Sequence, residues 1–228
     1  MIEVHLVRHG VRWDSEDPTW RQTAVRPKDT PLSESGIRQA TEVGKFLREK
    51  EIVEISASPY LRTLQTAEHI SKALHKPQKF HIEEGIREWV RNKLDEPVYI
   101  PLQDAIEQFS LLDSEYVSLF QCPTAIETPE QIHKRCRDFL QFYTERLVNL
   151  QQTTPKVSVV LVSHAATVIA LIRAFLNDET FSVKIGTCSI TSFQLDTTND
   201  SSTWKMKCCA DTTHLSEGTQ CAWGFKDS

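Results

Sequence analysis

The chain has 228 residues, 39% of them hydrophobic and 25% charged, a balance that suits one folded domain with a real core and excludes a disordered or fibrous chain. Its formal net charge of -5 argues against a nucleic-acid binder working through bulk electrostatics, so any positive site must be local. The opening residues, MIEVHLVRHG, have neither the basic leader nor the long apolar segment of a secretory signal, and a cytoplasmic or nuclear protein is expected.

Residues 1–7 read as a strand. It runs into LVRHGVR (residues 6–12), which places Arg8, His9 and Arg12 around a glycine where the apolar run stops. After a loop rich in Pro, Asp and Trp, Ser33 can cap a helix whose apolar face is Ile37, Ala40, Val43, Phe46 and Leu47. Residues 53–57 form a short strand. Ser58 is then expected to cap the next helix, with Pro59 at the first helical position, where its missing N–H costs nothing. That helix runs to about residue 74, and residues 79–82 make another strand.

Between Trp89 and Glu127 the pattern degrades, with Pro97, Pro101 and Pro123 interrupting it. This reads as a lid-like insertion, at about 89–127, within a single domain of residues 1–228. Thr128-Pro129-Glu130-Gln131 is a capping box, opening a helix with Ile132, Cys136, Phe139, Leu140, Tyr143 and Leu147 on its apolar positions. Residues 157–162 are nearly all apolar, as in a strand covered on both faces, and a helix follows over residues 165–176. Taken together, 157–176 is long enough to suggest a membrane span, but Ser163, His164, Thr167 and Arg173 within it favour a buried strand running into a helix. Strands near 189–195 and 204–208 complete the pattern.

Strands alternating with helices predict an α/β three-layer sandwich, a mostly parallel central sheet with helices on both faces. In such sheets ligands sit outside the carboxyl ends of the strands. Three strand ends then become equivalent: Arg8-His9, the Ser58 to Arg62 segment, and Ser163-His164-Ala165. Arginines and histidines converging there suggest an anion, and planar guanidinium forks suit phosphate oxygens. Histidine can act as a nucleophile toward phosphorus, and neighbouring guanidiniums disfavour its protonated form. There is no Walker motif, no GxGxxG and no carboxylate cluster for magnesium, so neither a metal nor another cofactor is expected.

These residues occur in motifs: LVRHG (6–10), PLSESGIRQA (31–40), SPYLRTLQTA (58–67), GIREW (85–89) and LVSHA (161–165). In that order they resemble the histidine phosphatase superfamily, also called phosphoglycerate mutase-like, over most of the chain. The resemblance implies that His9 is the nucleophile that becomes phosphohistidine, and that Arg8, Arg62 and His164 hold the phosphoryl oxygens. It also implies that Glu88 is the proton donor and later the base; the residues alone do not choose Glu88 over Glu83 or Glu84. The backbone N–H of Ala165, at a helix start, adds an oxyanion contact.

Mutases and fructose-bisphosphatases of the family usually follow RHG with Glu, Ser and a nearby Asn, whereas this chain has RHGVRWDSEDPTW. It is more similar to the group that includes the phosphatase domains of the suppressor-of-T-cell-receptor-signalling proteins and of the tau fifty-five kilodalton subunit of yeast transcription factor IIIC. The tail TTHLSEGTQCAWGF carries the same likeness. This makes Arg12 a fourth phosphate contact. The implied activity is metal-independent phosphomonoester hydrolysis through phosphohistidine, on phosphoprotein (phosphotyrosine or phosphoserine) or small phosphate esters. The alternatives are a phosphoglycerate mutase, or a non-catalytic phosphate-binding scaffold in a transcription-factor assembly. The partner is thus a phosphorylated protein or small ester; transcription-factor partners rest on the resemblance alone, and no direct nucleic-acid or membrane contact is expected.

Other chemistry-bearing residues have plainer readings. The six cysteines form no regular framework, so reduced thiols are expected; Cys208, Cys209, His214 and Cys221 have poor spacing for zinc. His5 is expected to be structural, and His69, His75, His81 and His133 to lie on element surfaces. The tail resemblance puts His214 near a cleft. Trp13, Trp20 and Trp89 either wall a substrate pocket or simply pack, and Arg87 and Arg91 either bind an acidic substrate or form a solvated pair.

Overall fold

In the computed structural model, which describes residues 1–93, 98–121, 126–196 and 203–225, six strands form one sheet in the order β3-β2-β4-β1-β5-β6. Strands β1 (Ile2–Arg8), β2 (Ile52–Ala57), β3 (Phe80–Ile82) and β4 (Val157–Ser163) are mutually parallel. Strand β5 (Ile190–Asp196) runs antiparallel to β1, and β6 (Thr203–Asp211) antiparallel to β5. The valine-rich β4 is buried at every position, as a strand covered on both faces must be. Its side chains alternate between two cores. Val159 and Leu161 pack under α6 (Pro129–Gln151) and α7 (Ala165–Leu176), while Val160 and Val162 pack under α3 (Glu34–Phe46) and α4 (Leu61–Ala73). The α/β sandwich expected from the sequence is therefore present, with three further short helices, α1 (Trp13–Glu16), α2 (Trp20–Thr23) and α5 (Leu102–Gln108).

Local signals explain most element starts. Ser33 Oγ accepts from Gly36 N at 3.2 Å, capping α3. At α6, Thr128 Oγ1 accepts from Gln131 N and Gln131 Oε1 accepts from Thr128 N, with Pro129 at the first helical position. The start of α4 differs from the expectation. Tyr60, not Ser58, is its N-cap. Ser58 is fully buried; its N–H donates to Val162 O at 3.0 Å and its Oγ bonds His164 Nε2 at 2.7 Å, so its side chain is committed elsewhere. Pro59 consequently precedes the helix.

Two further expectations change. His81 and His133 are not surface residues: they are 6% and 8% exposed, the first stacked on Tyr116 and bonded to Ser56 Oγ, the second donating from Nδ1 to Pro129 O. The insertion also contains α5, which its prolines obscured; Ala105, Phe109 and Leu112 bury against the α3/α4 side of the core. Pro97 and Pro123 lie outside the described residues. Among the described residues no helix is long and apolar enough to cross a membrane.

The turn after His9 lies directly against the first turn of α3. A Cβ on Gly36 would stand 2.1 Å from Val11 O, and one on Gly10 would stand 2.5 Å from Gly36 O. Both neighbours are backbone, so neither can rotate away. Gly36→Ala is expected to lower the unfolding free energy by about 2–3 kcal/mol, as overpacked sites do; chemical denaturation with an unchanged m-value checks this.

Candidate active site

Parallel pairing sets Arg8 opposite Ser163, and the next N–H, of His9, still donates to Ser163 O at 2.9 Å. The residues that follow each strand end thus emerge side by side. The rings of His9 and His164 have centroids 5.3 Å apart. His9 Nδ1 lies 2.8 Å from Gly10 O; a carbonyl only accepts, so Nδ1 carries the proton and Nε2 keeps its lone pair.

Arg62, in the first turn of α4, lies 4% exposed with its guanidinium over the Tyr60 ring at 4.3 Å. Its Nη2 is 3.1 Å from His164 Nδ1 and 3.4 Å from Glu88 Oε2. Arg8 Nη1 donates to Ile185 O at 2.8 Å and to Cys221 O at 2.6 Å. The Nε atoms of Arg8 and Arg62 are buried with no partner among the described residues. Buried guanidinium donors are rarely left so, and an anionic ligand would satisfy them.

Glu88 sits beyond a 3₁₀ turn, Glu84–Ile86, and its backbone is fixed from two sides. Ser163 Oγ donates to Ile86 O and Thr167 Oγ1 to Arg87 O, both at 2.7 Å. Arg87 is not a solvated or substrate-facing residue: it is 1% exposed, donates to Glu88 O at 3.1 Å and pairs with Glu127 at 3.3 Å. Arg135 grips the same Glu127 at 2.7 and 3.0 Å. Burial forced this pairing, and sequence spacing gave no sign of it. The side chain of Glu88 remains 28% exposed, 3.1 Å from His164 Nδ1.

Arg8, His9, Arg12, Arg62, Glu88 and Ala165 all line one cavity of about 480 Å³. His164 is fully buried and acts on that cavity through Arg62 and Glu88. Arg12 is present but engaged, with Nε and Nη2 on the Asp14 carboxylate at 2.9 and 3.3 Å. Trp89 and Arg91 line the cavity; Trp13 and Trp20 do not. Tyr60, Trp223, Arg21 and Lys28 also line it, and only the tail motif CAWGF could have hinted at Trp223, which reaches the site by a backbone bridge to Ile185. His214 is elsewhere: its Nε2 donates to Cys188 O at 3.0 Å and its ring lies against Phe46. His5 sits between Ser192 and Ser158 hydroxyls, a structural residue as expected. Cys136, Cys188, Cys208, Cys209 and Cys221 form no disulfide, and Cys122 lies outside the described residues.

The model of the histidine phosphatase superfamily (branch 1) matches residues 4–209. The chain belongs to that superfamily. It is 27% identical to the transcription factor tau 55 kDa subunit of Saccharomyces cerevisiae over 97% of its own length and 58% of that protein. It is 39% identical to the probable phosphoglycerate mutase GpmB of Salmonella choleraesuis over 74 residues, 32% of each chain. The chain therefore spans 58% and 32% of these two curated relatives. In three dimensions it is similar to the ecdysone phosphate phosphatase of Bombix mori, solved with tungstate, at a TM-score of 0.71 and 19% identity, over 92% of this chain and 93% of that one.

Burial is the main reason the two site histidines of this superfamily member are uncharged. It drives the His9 imidazole well below its ordinary value, with Arg62 and Arg8 adding to the effect. The guanidiniums named from sequence thus act, but second to desolvation. Burial likewise lowers His164 to about 4 against the opposing pull of Glu88, and lowers His5 to about 4. Burial alone would push the Glu88 carboxyl up; His164, Arg62 and the Trp89 N–H outweigh it and hold the group below its usual range. Arg8, lowered by burial to about 10, stays cationic at neutral pH.

Histidines depressed in the folded state bind fewer protons there than in the unfolded chain, so stability rises with pH until the unfolded histidines have lost theirs. From these shifts, thermal stability is expected to be full above about pH 6.5 and to fall steadily toward pH 4. Melting temperature against pH measures it, and His5→Gln should flatten the slope without touching the cavity.

Proposed function

We propose that the protein hydrolyses phosphomonoesters through a phosphohistidine on His9, without a metal ion. The observation that supports this most directly is the pairing of an imidazole with a free Nε2 lone pair and two guanidiniums whose buried Nε–H donors have no partner among the described residues, all in one cavity. Arg8 and Arg62 bind the phosphoryl oxygens, aided by Arg12 and the Ala165 N–H at the start of α7, while His164 acts through Arg62 and Glu88; the guanidiniums supply the charge stabilisation that a metal gives other phosphatases.

His9 Nε2 attacks phosphorus, the P–N bond forms, and the ester P–O bond breaks. Glu88 gives its proton to the departing oxygen, then takes one from the water that attacks phosphorus and releases His9. Without ligand Glu88 is an anion. A phosphate dianion drawing on Arg62 competes for one of the groups that hold it so, and adds negative charge beside it, which raises its affinity for a proton. Trp89, Trp223 and Tyr60 wall the space left for the alcohol portion and suit phosphotyrosine, phosphoserine peptides or small aromatic esters. From the transcription-factor relative we infer that this activity lies in the cytoplasm or nucleus.

The test is turnover of p-nitrophenyl phosphate and phosphotyrosine and phosphoserine peptides. His9→Ala is expected to lower kcat by about 10⁴-fold or more, and Glu88→Gln by about 10²–10³-fold with a smaller change in KM; EDTA should have no effect. Turnover that survives His9→Ala or disappears with EDTA overturns the proposal. Phosphate binding without hydrolysis of any ester would favour the scaffold reading, and phosphate exchange between glycerate hydroxyls the mutase.

A further inference from the structure

The cavity holds more positive charge than one phosphoryl group draws on. Arg12, Arg21 and Lys28 line it from the excursion between β1 and α3. The Asp14 side chain, only 5% exposed, clamps both arginines: it accepts from Arg12 Nε and Nη2 at 2.9 and 3.3 Å and from Arg21 Nε at 2.7 Å, with Arg21 Nη2 in ion-pair contact at 2.6 Å. The clamp occupies the same two corners of each fork. Among the described residues, neither Nη1 has a protein partner, and Lys28 Nζ has none. Two of these cations therefore share one carboxylate and the third, Lys28, meets none, in a chain of net charge -5.

This arrangement differs from ordinary surface charge. A fork pinned by a buried carboxylate has already lost its side-chain freedom, so a ligand that takes its remaining donors avoids that entropic cost. A lone exposed arginine would not offer this.

We infer that Arg21 and Lys28, with Arg12 shared toward the phosphoryl position, form a second anion subsite, and that the substrate is a phosphomonoester bearing a further carboxylate or phosphate. The inference names the substrate class of the proposed phosphatase and rests on that reading for the chemistry at phosphorus, but the subsite can be measured by binding alone. An acidic residue beside a phosphorylated side chain and a second acid group on a small ester present the same chemistry to it.

Calorimetry on the whole protein with non-hydrolysable phosphonates separates the cases. Three probes suffice: a phosphonomethyl-phenylalanine peptide with neutral neighbours, the same peptide with glutamate neighbours, and propane-1,3-bisphosphonate. At least one doubly acidic probe is expected to bind about tenfold tighter than the neutral-flanked peptide, as charge-assisted hydrogen bonds allow. In the Arg21→Ala/Lys28→Ala variant that ratio should fall to near one. Preference for the glutamate peptide identifies a protein substrate, and preference for the bisphosphonate a small one. A ratio near one in the unmodified protein, or a ratio that survives the double substitution, overturns the subsite; general electrostatic steering would weaken all three probes together and leave the ratio intact. If the ratio behaves as expected while no monoester is hydrolysed, the subsite stands and the phosphatase proposal fails.

Discussion

The in-register parallel ladder between β1 and β4 is the constraint on which the site depends. With Arg8 opposite Ser163, the two histidines follow as next neighbours and emerge together at the carboxyl edge of the sheet. Strand side chains alternate faces, so a slip of one residue would send one ring to the far side of the sheet. Hydrophobic burial fixes the register: Val4 and Leu6 of β1 and Val159 and Leu161 of β4 all enter the same core under α6 and α7. The apolar pattern that folds the chain is therefore the pattern that assembles the chemistry.

That assembly balances two opposed costs. Burying an imidazole favours its neutral form, and burying a guanidinium away from acceptors is unfavourable. The protein accepts the second cost to gain the first. Arg62 is stabilised by the Tyr60 ring, His164 and Glu88, and Arg8 by two backbone carbonyls, yet each keeps a buried Nε–H unspent. Glu88 is held in turn by a network reaching Glu127 and Arg135 at the start of α6, so the geometry of the carboxyl end of the sheet is set partly from the next helix layer.

Much of this was legible in the linear sequence because it is local. A histidine one residue past an apolar run, an arginine in the first turn of the following helix, and a capping box before α6 are each decided within a few residues. Tertiary contact decided the rest. Ser58 reads as a cap until His164, 106 residues away, claims its hydroxyl; Arg87 reads as solvated until α6 encloses it with Glu127. Trp223 lies in an irregular segment, and Asp14 and Arg21 in helices of four residues, too short for periodicity to mark an inward side chain. Family likeness alone singles out Glu88 among three glutamates; in space Glu83 is spent on Gly85, Tyr116 and Ser118, whereas Glu88 reaches His164.

Arg8 has a double duty with a practical meaning. One of its terminal nitrogens anchors Ile185 and, 213 residues along the chain, Cys221, while its Nε has no acceptor among the described residues. The last described turn of the polypeptide is thereby stitched to a cationic lining residue. Fusion tags, protease nicks or cysteine-directed labels placed near Cys221 will be felt at the cavity.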